Sequence, residues 1–350
     1  MRIWIDLSNS PHPLLFHPIA RRLRERGHAV AVTARDNAQT VELARERWPD
    51  VEVIGAVSPK GARAKARAIT GRAAALRRWA QAQRPDVALS HNSYAQIVAA
   101  AGLRVPVVTA MDFEHQPANH LAFRLARTVL LPAALCGSDV RRQGATARKT
   151  RFYSGLKEEV YLADFRPDPD VLRRLGVTPG PDATLVVARP APDRAVYHPF
   201  ENPLFVECVT TVLRDPRTTV VVLPRHPEQA DALERLALER CVVARSAVDS
   251  RSLMGVADLM IGAGGTMTRE AALMGVPTLS LFAGRRPAVD RWLQERGMLR
   301  VLSDAGDCPP VTPQPRADQL AALRVRGAYL VDEFCDATEA SAAWRTEVHR

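Results

Sequence analysis

One alternation, run twice, constrains this 350-residue chain more than any other feature. Short β-rich runs are separated by longer amphipathic stretches. In the first half the runs are RIWIDL (2–7), HAVAVTA (28–34), VEVIG (51–55), DVALS (86–90), VPVVTA (105–110) and RTVLLP (127–132). Between them lie LLFHPIARRLRERG (14–27), which closes on Gly27, and helical stretches over about 36–48, 61–83 and 94–101. Strands that alternate with helices in this way predict a parallel sheet covered on both faces. The pattern breaks near 154–170, where Pro167 and Pro169 stand among several charges. It then restarts with ATLVVAR (183–189), TTVVVLPR (218–225), CVVA (241–244), ADLMIG (257–262) and VPTLSLF (276–282). The expectation is an α/β chain with two doubly wound, Rossmann-like domains over 1–155 and 171–326. A linker covers 156–170, and a helix, amphipathic over 317–347, closes the chain at 327–350.

In doubly wound sheets ligands bind outside the carboxyl ends of the strands. Ser8–His12, Ser90–Ser93 and Asp112–His115 follow strand ends in the first half. Arg189, Arg225–His226 and the loop IGAGGTM (261–267) follow strand ends in the second. Two such edges facing each other would make a cleft. In that loop Gly264 and Gly265 allow backbone to approach an anion, and the helix after them offers free N–H groups and a positive dipole end. Thr266 fits a helix N-cap. Glu270, one turn in, suits the vicinal hydroxyls of a ribose. A tight, capped strand–helix turn would use the same residues. Neither GxGxxG nor GxxxxGK[ST] is present.

His12 suits a general base in the first strand–helix loop, with an ordinary pKa near 6.5. Asp112, Glu114 and His115 form a dense ionisable group. Read as extended chain, Asp112 and Glu114 share one face and suit proton handling or acceptor binding. Arg189, Arg225 and His226 place cations where a diphosphate would lie.

The formal net charge is +10. Segment 60–84 carries Lys60, Arg63, Lys65, Arg67, Arg72, Arg77, Arg78 and Arg84 and no acid. It reads as a solvated basic face, or as a peripheral contact with anionic lipid. Nucleic acid is disfavoured by an aromatic content of only 5%. The five cysteines are scattered singly, which predicts free thiols and no zinc site. No run reaches the roughly 18–20 apolar residues of a membrane span. Asp6 interrupts the only signal-like run, so the chain reads as cytoplasmic.

The stretch GAGGTMTREAALMGVPTLSLF (262–282) resembles the donor-binding loop and helix of GT-B glycosyltransferases and UDP-N-acetylglucosamine 2-epimerases. Further stretches resemble an uncharacterised bacterial and archaeal family of glycosyltransferase-like proteins, a domain of unknown function. They are residues 3–36, DFEHQPANHLAF (112–123), YSGLKEEVYLADFRPD (153–168), ARPAPDRAVYHP (188–199) and LPRHPEQ (223–229). The resemblance implies a GT-B fold: an N-terminal acceptor domain, a C-terminal nucleotide-sugar domain and a cleft between them. It implies that Gly264, Gly265 and Thr266 hold the diphosphate and Glu270 the ribose. It places Lys157, Glu158 and Tyr161 at the interdomain hinge. SNSPHP (8–13) departs from the Gly-rich first loop of many GT-B enzymes. No DxD-type signature stands out, which implies metal-independent binding of the donor. The expected activity is glycosyl transfer from a nucleoside-diphosphate sugar, a UDP-sugar foremost, with no tightly bound cofactor. A lipid-linked acceptor would account for the basic segment. The alternatives are a sugar-nucleotide 2-epimerase and a non-catalytic basic binding protein.

Overall fold

The computed structural model describes residues 1–37, 39–56, 62–180, 182–191, 203–246, 248–314 and 319–348. Most of ARPAPDRAVYHP and Lys60 lie outside the described residues. The chain divides into two compact units. Unit 1 holds Met1–Asp164, Pro287–Val289 and Val325–Arg350, and unit 2 holds Phe165–Arg286 and Asp290–Arg324.

Unit 1 opens with β1 (Arg2–Leu7), α1 (Pro11–Glu25), β2 (Ala29–Ala34), α2 (Thr40–Arg45), β3 (Glu52–Val53) and α3 (Ala62–Gln83). It continues through β4 (Val87–His91), α4 (Tyr94–Ala101), β5 (Val107–Ala110), α5 (Asn119–Leu125), β6 (Thr128–Pro132), β7 (Thr150–Tyr153) and α6 (Lys157–Leu162). The seven strands pair in the order β3-β2-β1-β4-β5-β6-β7, all parallel. The order reverses between β1 and β4, so the crevice at which such sheets bind ligands opens at the ends of those two strands.

Unit 2 runs through α7 (Val171–Arg174), β8 (Thr184–Arg189), α8 (Pro203–Val212), β9 (Thr218–Val222), α9 (Pro227–Glu234), β10 (Cys241–Val243) and α10 (Ser250–Met254). Then come β11 (Leu259–Gly262), α11 (Thr266–Leu273), β12 (Thr278–Ser280), α12 (Ala288–Glu295), whose first two residues belong to unit 1, and β13 (Arg300–Val301). Its six parallel strands are ordered β10-β9-β8-β11-β12-β13, with the reversal between β8 and β11. Alternate residues of β8 feed separate cores: Val186 and Ala188 one, Leu185 and Val187 the other. Both faces of the sheet are therefore covered, as the apolar runs predict. The chain ends in α13 (Gln319–Val348).

One expectation needs correction here. The basic segment is not a uniformly solvated face. Arg67, Arg77, Arg78 and Arg84 are exposed, but Arg72 is buried with Ala73, Leu76 and Ala80. Its guanidinium grips Asp6, which is fully buried, through two bonds of 2.8 and 2.9 Å. Helical periodicity turns 72, 76 and 80 to one side, and one charged residue falls on it. The closing helix has a definite partner. From Val325 onward it belongs to unit 1, where Phe334 packs on Tyr153 at 5.1 Å. Arg26 of α1's C-cap meets Asp332, Asp336 and Glu339 at 2.6–2.9 Å.

Among the described residues no helix is long and apolar enough to cross a membrane.

Removing one partner of a buried pair leaves an uncompensated charge, at about 3–5 kcal/mol. Asp6→Ala is expected to destabilise the chain by about that much in urea unfolding. The double variant Asp6→Leu/Arg72→Met should lose clearly less than Asp6→Ala. Equal losses would mean that the pair is not what the carboxylate contributes.

Candidate functional site

At the end of β1 the chain turns at Ser8–Ser10 and enters α1 at Pro11. Proline at the first helical position needs no N–H partner and has its φ already set. SNSPHP is thus a helix start, and His12 stands in the first turn of α1 rather than in a loop. The ring is buried, 3% exposed. Its Nδ1 accepts a hydrogen bond from the Ser8 backbone N–H at 3.1 Å. On the other side of the reversal, His91 ends β4, with its ring centroid 5.4 Å from that of His12. His91 Nε2 lies 3.3 Å from Asp112 Oδ1, off the hydrogen-bond line. The other Asp112 oxygen takes the ammonium of Lys157, which also meets Glu158 at 2.7 Å. Lys157, Glu158 and Tyr161 are buried in α6 of unit 1. Four elements therefore deliver one contiguous group: His12, His91, Asp112, Lys157 and Glu158.

Glu114 and His115 form a neighbouring pair. Residues 112–115 form a bend and turn rather than a strand, so the alternate-residue rule does not apply to them. Asp112 reaches Lys157, whereas Glu114 Oε1 accepts from the Ala288 N–H at 2.8 Å and lies 3.5 Å from His115 Nε2. Among the described residues no group of three His, Cys, Asp or Glu is placed to hold a metal ion.

Burial pushes His12 well below its ordinary pKa, and the charges of His91, Lys157 and Arg35 push the same way against Asp112. His17 is lowered for the same first reason.

In unit 2 the reversal lies between Arg189, the last residue of β8, and Gly262, the last of β11, which are register partners. Gly264 and Gly265 have φ of +84° and +94°, where side chains are strained. A Cβ on Gly264 would meet the Phe282 ring at 3.0 Å, whereas one on Gly265 would meet nothing within 4 Å. The backbone is therefore open at Gly265. Gly265, not Thr266, is the N-cap of α11, and Thr266 is its first residue. Glu270 follows one turn later and is buried.

The two arginines exchange contacts across adjacent strands. Arg189 donates to the carbonyls of Leu223 and Pro224 at 3.1 and 3.3 Å, and Arg225 Nε donates to the Pro190 carbonyl at 3.1 Å. Burial, then the charge of Arg225, lowers Arg189 to about 10, so it remains a cation at neutral pH. His226 caps α9 by accepting from the Gln229 N–H.

Unit 1's group adds His91, which lies in the strand-end stretch Ser90–Ser93, and Lys157, which the resemblance places at the hinge. The strand-end signal located His91. No spacing rule links Lys157 to Asp112 across 45 residues of sequence.

A histidine held neutral in the fold but charged below pH 6.5 when unfolded makes the unfolded state bind more protons. That stability is complete above pH 6.5 and falls as the pH drops below it. His17 adds in the same direction. His12→Gln should therefore flatten the loss between pH 6.5 and 5 by up to about 1.4 kcal/mol per pH unit in urea unfolding. A steeper loss in the variant would contradict the buried neutral ring.

Comparison with known proteins fits this architecture. An uncharacterised protein of Methanocaldococcus jannaschii is 28% identical over 314 residues, 86% of this chain and 88% of that protein. The UDP-N-acetylglucosamine 2-epimerase of Rickettsia bellii superposes with a TM-score of 0.76 at 15% identity, covering 98% of this chain and 97% of that one. The glycotransferase of kitacinnamycin superposes with a TM-score of 0.65 at 18% identity, covering 97% and 99%. At these identities the two structures share the fold: two parallel-sheet, Rossmann-like domains of GT-B type. A family model described as a protein of unknown function, DUF354, matches residues 1–308, and the chain belongs to that family.

Proposed function

We propose that this chain is an enzyme that binds a nucleoside-diphosphate sugar, a UDP-sugar foremost, and transfers its sugar to an acceptor. The observation that carries this reading is the anion-ready reversal of unit 2. Two cationic side chains, Arg189 and Arg225, stand at the ends of β8 and β9, and the open backbone of Gly265 begins α11 one strand away. Helix dipole and guanidinium charge act on negative charge that develops as a diphosphate departs. Glu270 takes the ribose hydroxyls. The proton-handling groups are assigned to unit 1, at Asp112, Glu114, His115 and the two histidines of the β1/β4 reversal. Two structures of this fold carry names from this chemistry, one an epimerase and one a glycotransferase.

The second reading, 2-epimerisation of the sugar nucleotide, is favoured by one observation. Buried histidine, carboxylate and ammonium groups sit together in unit 1, as an acid–base exchange at a sugar carbon requires. The two readings share the donor and differ in the fate of the sugar. Peripheral membrane contact through the exposed arginines of α3 would follow if the acceptor is lipid-borne.

Ligands that bind only the folded state raise the melting temperature by mass action. UDP and UDP-sugars are expected to raise Tm, and Arg225→Ala or Glu270→Ala should weaken binding by about 1–3 kcal/mol. No shift with any nucleoside diphosphate would overturn the donor site.

Incubation with UDP-N-acetylglucosamine and no acceptor separates the reactions. Slow release of UDP supports transfer, and appearance of the 2-epimer supports the second reading.

A further inference from the structure

We propose that the two histidines at the β1/β4 reversal have opposite roles: His12 donates a hydrogen bond through Nε2–H, and His91, oriented by Asp112, accepts the proton. This assignment rests on the reading of a sugar-nucleotide enzyme, and it replaces the expectation of His12 as base.

The argument starts from Ser8. A backbone N–H can only donate, and that of Ser8 points at His12 Nδ1 from 3.1 Å. Nδ1 must therefore present its lone pair, and the proton of the neutral ring sits on Nε2. Nε2–H has no lone pair left with which to take a proton. Charging the ring would put a second hydrogen on Nδ1, against the Ser8 N–H. It would also place a cation in the first turn of a 15-residue helix, where the dipole opposes it. The groups facing the ring are His91 from β4, Asp112 beyond β5, Lys157 from α6 and Arg35 beyond β2, and all but Asp112 oppose a positive charge. Among the described residues Nε2 has no hydrogen-bond partner. A neutral imidazole of this kind is a fixed donor toward an oxygen of the substrate, a hydroxyl or a phosphoryl oxygen.

His91 has the complementary arrangement. Its Nε2 lies 3.3 Å from a carboxylate oxygen, off the hydrogen-bond line, and the negative charge of that oxygen favours the proton on Nε2 and leaves the Nδ1 lone pair to accept. Lys157 holds the second oxygen of Asp112, and Glu158 balances the ammonium. Asp112 and Lys157 are positioning residues, because they act on substrate through His91. In the transfer, the acceptor oxygen bonds to the anomeric carbon, and its proton passes to His91 Nδ1. The bond from that carbon to the diphosphate oxygen breaks, and the electron pair leaves with the diphosphate. The imidazolium on His91 then faces Asp112 and returns its proton to water.

The test is long-range proton–nitrogen NMR on the imidazoles of the full-length chain, with His12→Gln and His91→Gln for assignment. His12 is expected to stay neutral with the proton on Nε2 from about pH 5.5 to 8, below and above its ordinary value. His91 is expected in the Nε2–H tautomer, and Asp112→Ala should give a mixture of tautomers there while His12 is unmoved. A proton on His12 Nδ1, or a His12 that charges with a midpoint near 6.5, overturns the proposal. So does a wild-type His91 protonated on Nδ1, a result that stands even if Asp112→Ala does not fold. None of these readings depends on nucleotide, so absence of a UDP shift would sink the donor site without touching them. Where turnover is measured, His91→Gln should lower kcat by about 10²–10⁴-fold with little change in KM. His12→Gln, whose amide N–H stands near the place of Nε2–H, should retain more rate than His12→Phe. Equal loss in the two His12 variants would remove the donor role.

Discussion

One buried carboxylate organises the first unit. Asp6 lies in the middle of a sheet with no solvent exposure, yet it accepts from Arg72, Thr33 and Ser93. Those three residues come from α3, β2 and the turn before α4. Thr33 is in turn fixed by the indole N–H of Trp4 at 2.9 Å. An ionised carboxylate is tolerated at such depth only when all its lone pairs are engaged, because isolated charge is strongly disfavoured in apolar surroundings. The satisfaction is geometric as well as energetic. Asp6 stands two residues before Ser8, and Ser93 stands two residues after His91. The same carboxylate therefore ties together both sides of the β1/β4 crevice, where the two histidine rings stand 5.4 Å apart.

The fold was legible because apolar periodicity and strand-end position are local properties. Two parallel sheets, their helices and the edges that carry ionisable residues follow from that alternation alone. What was not legible depended on direction or on distance along the chain. Composition has no address and cannot separate Arg72 from the surface charges, although its spacing from Leu76 and Ala80 places it on their face. His12 is expected in the first strand–helix loop, but the fixed φ of Pro11 favours a helix start there. Gly265 took the cap from Thr266 because a positive φ decides the turn there. The last helix announced itself by length and pattern, but nothing in its own residues names α1 as the surface it covers. Lys157 is the extreme case, since its role is defined wholly by a partner on another element.

The two sheets reverse at equivalent places and fill them with opposite chemistry. The β1/β4 ends gather groups able to exchange protons, and the β8/β11 ends gather cations and open backbone. A common strand order supplies the location in both and dictates neither set of side chains. That is why likeness at 15% identity gives the architecture and leaves the reaction to the residues themselves.

Arg189 and Arg225 show how such a site can be stable before any ligand arrives. Two guanidiniums at adjacent strand ends repel, and burial of Arg189 adds to the cost. The backbone offsets it, because carbonyls beyond β9 accept from Arg189 and a carbonyl beyond β8 accepts from Arg225. Carbonyl dipoles only partly neutralise the charge of Arg189. An anion bound there would relieve the repulsion as well as make new charge-assisted bonds. Each arginine is thus held in place by backbone that follows the strand carrying the other.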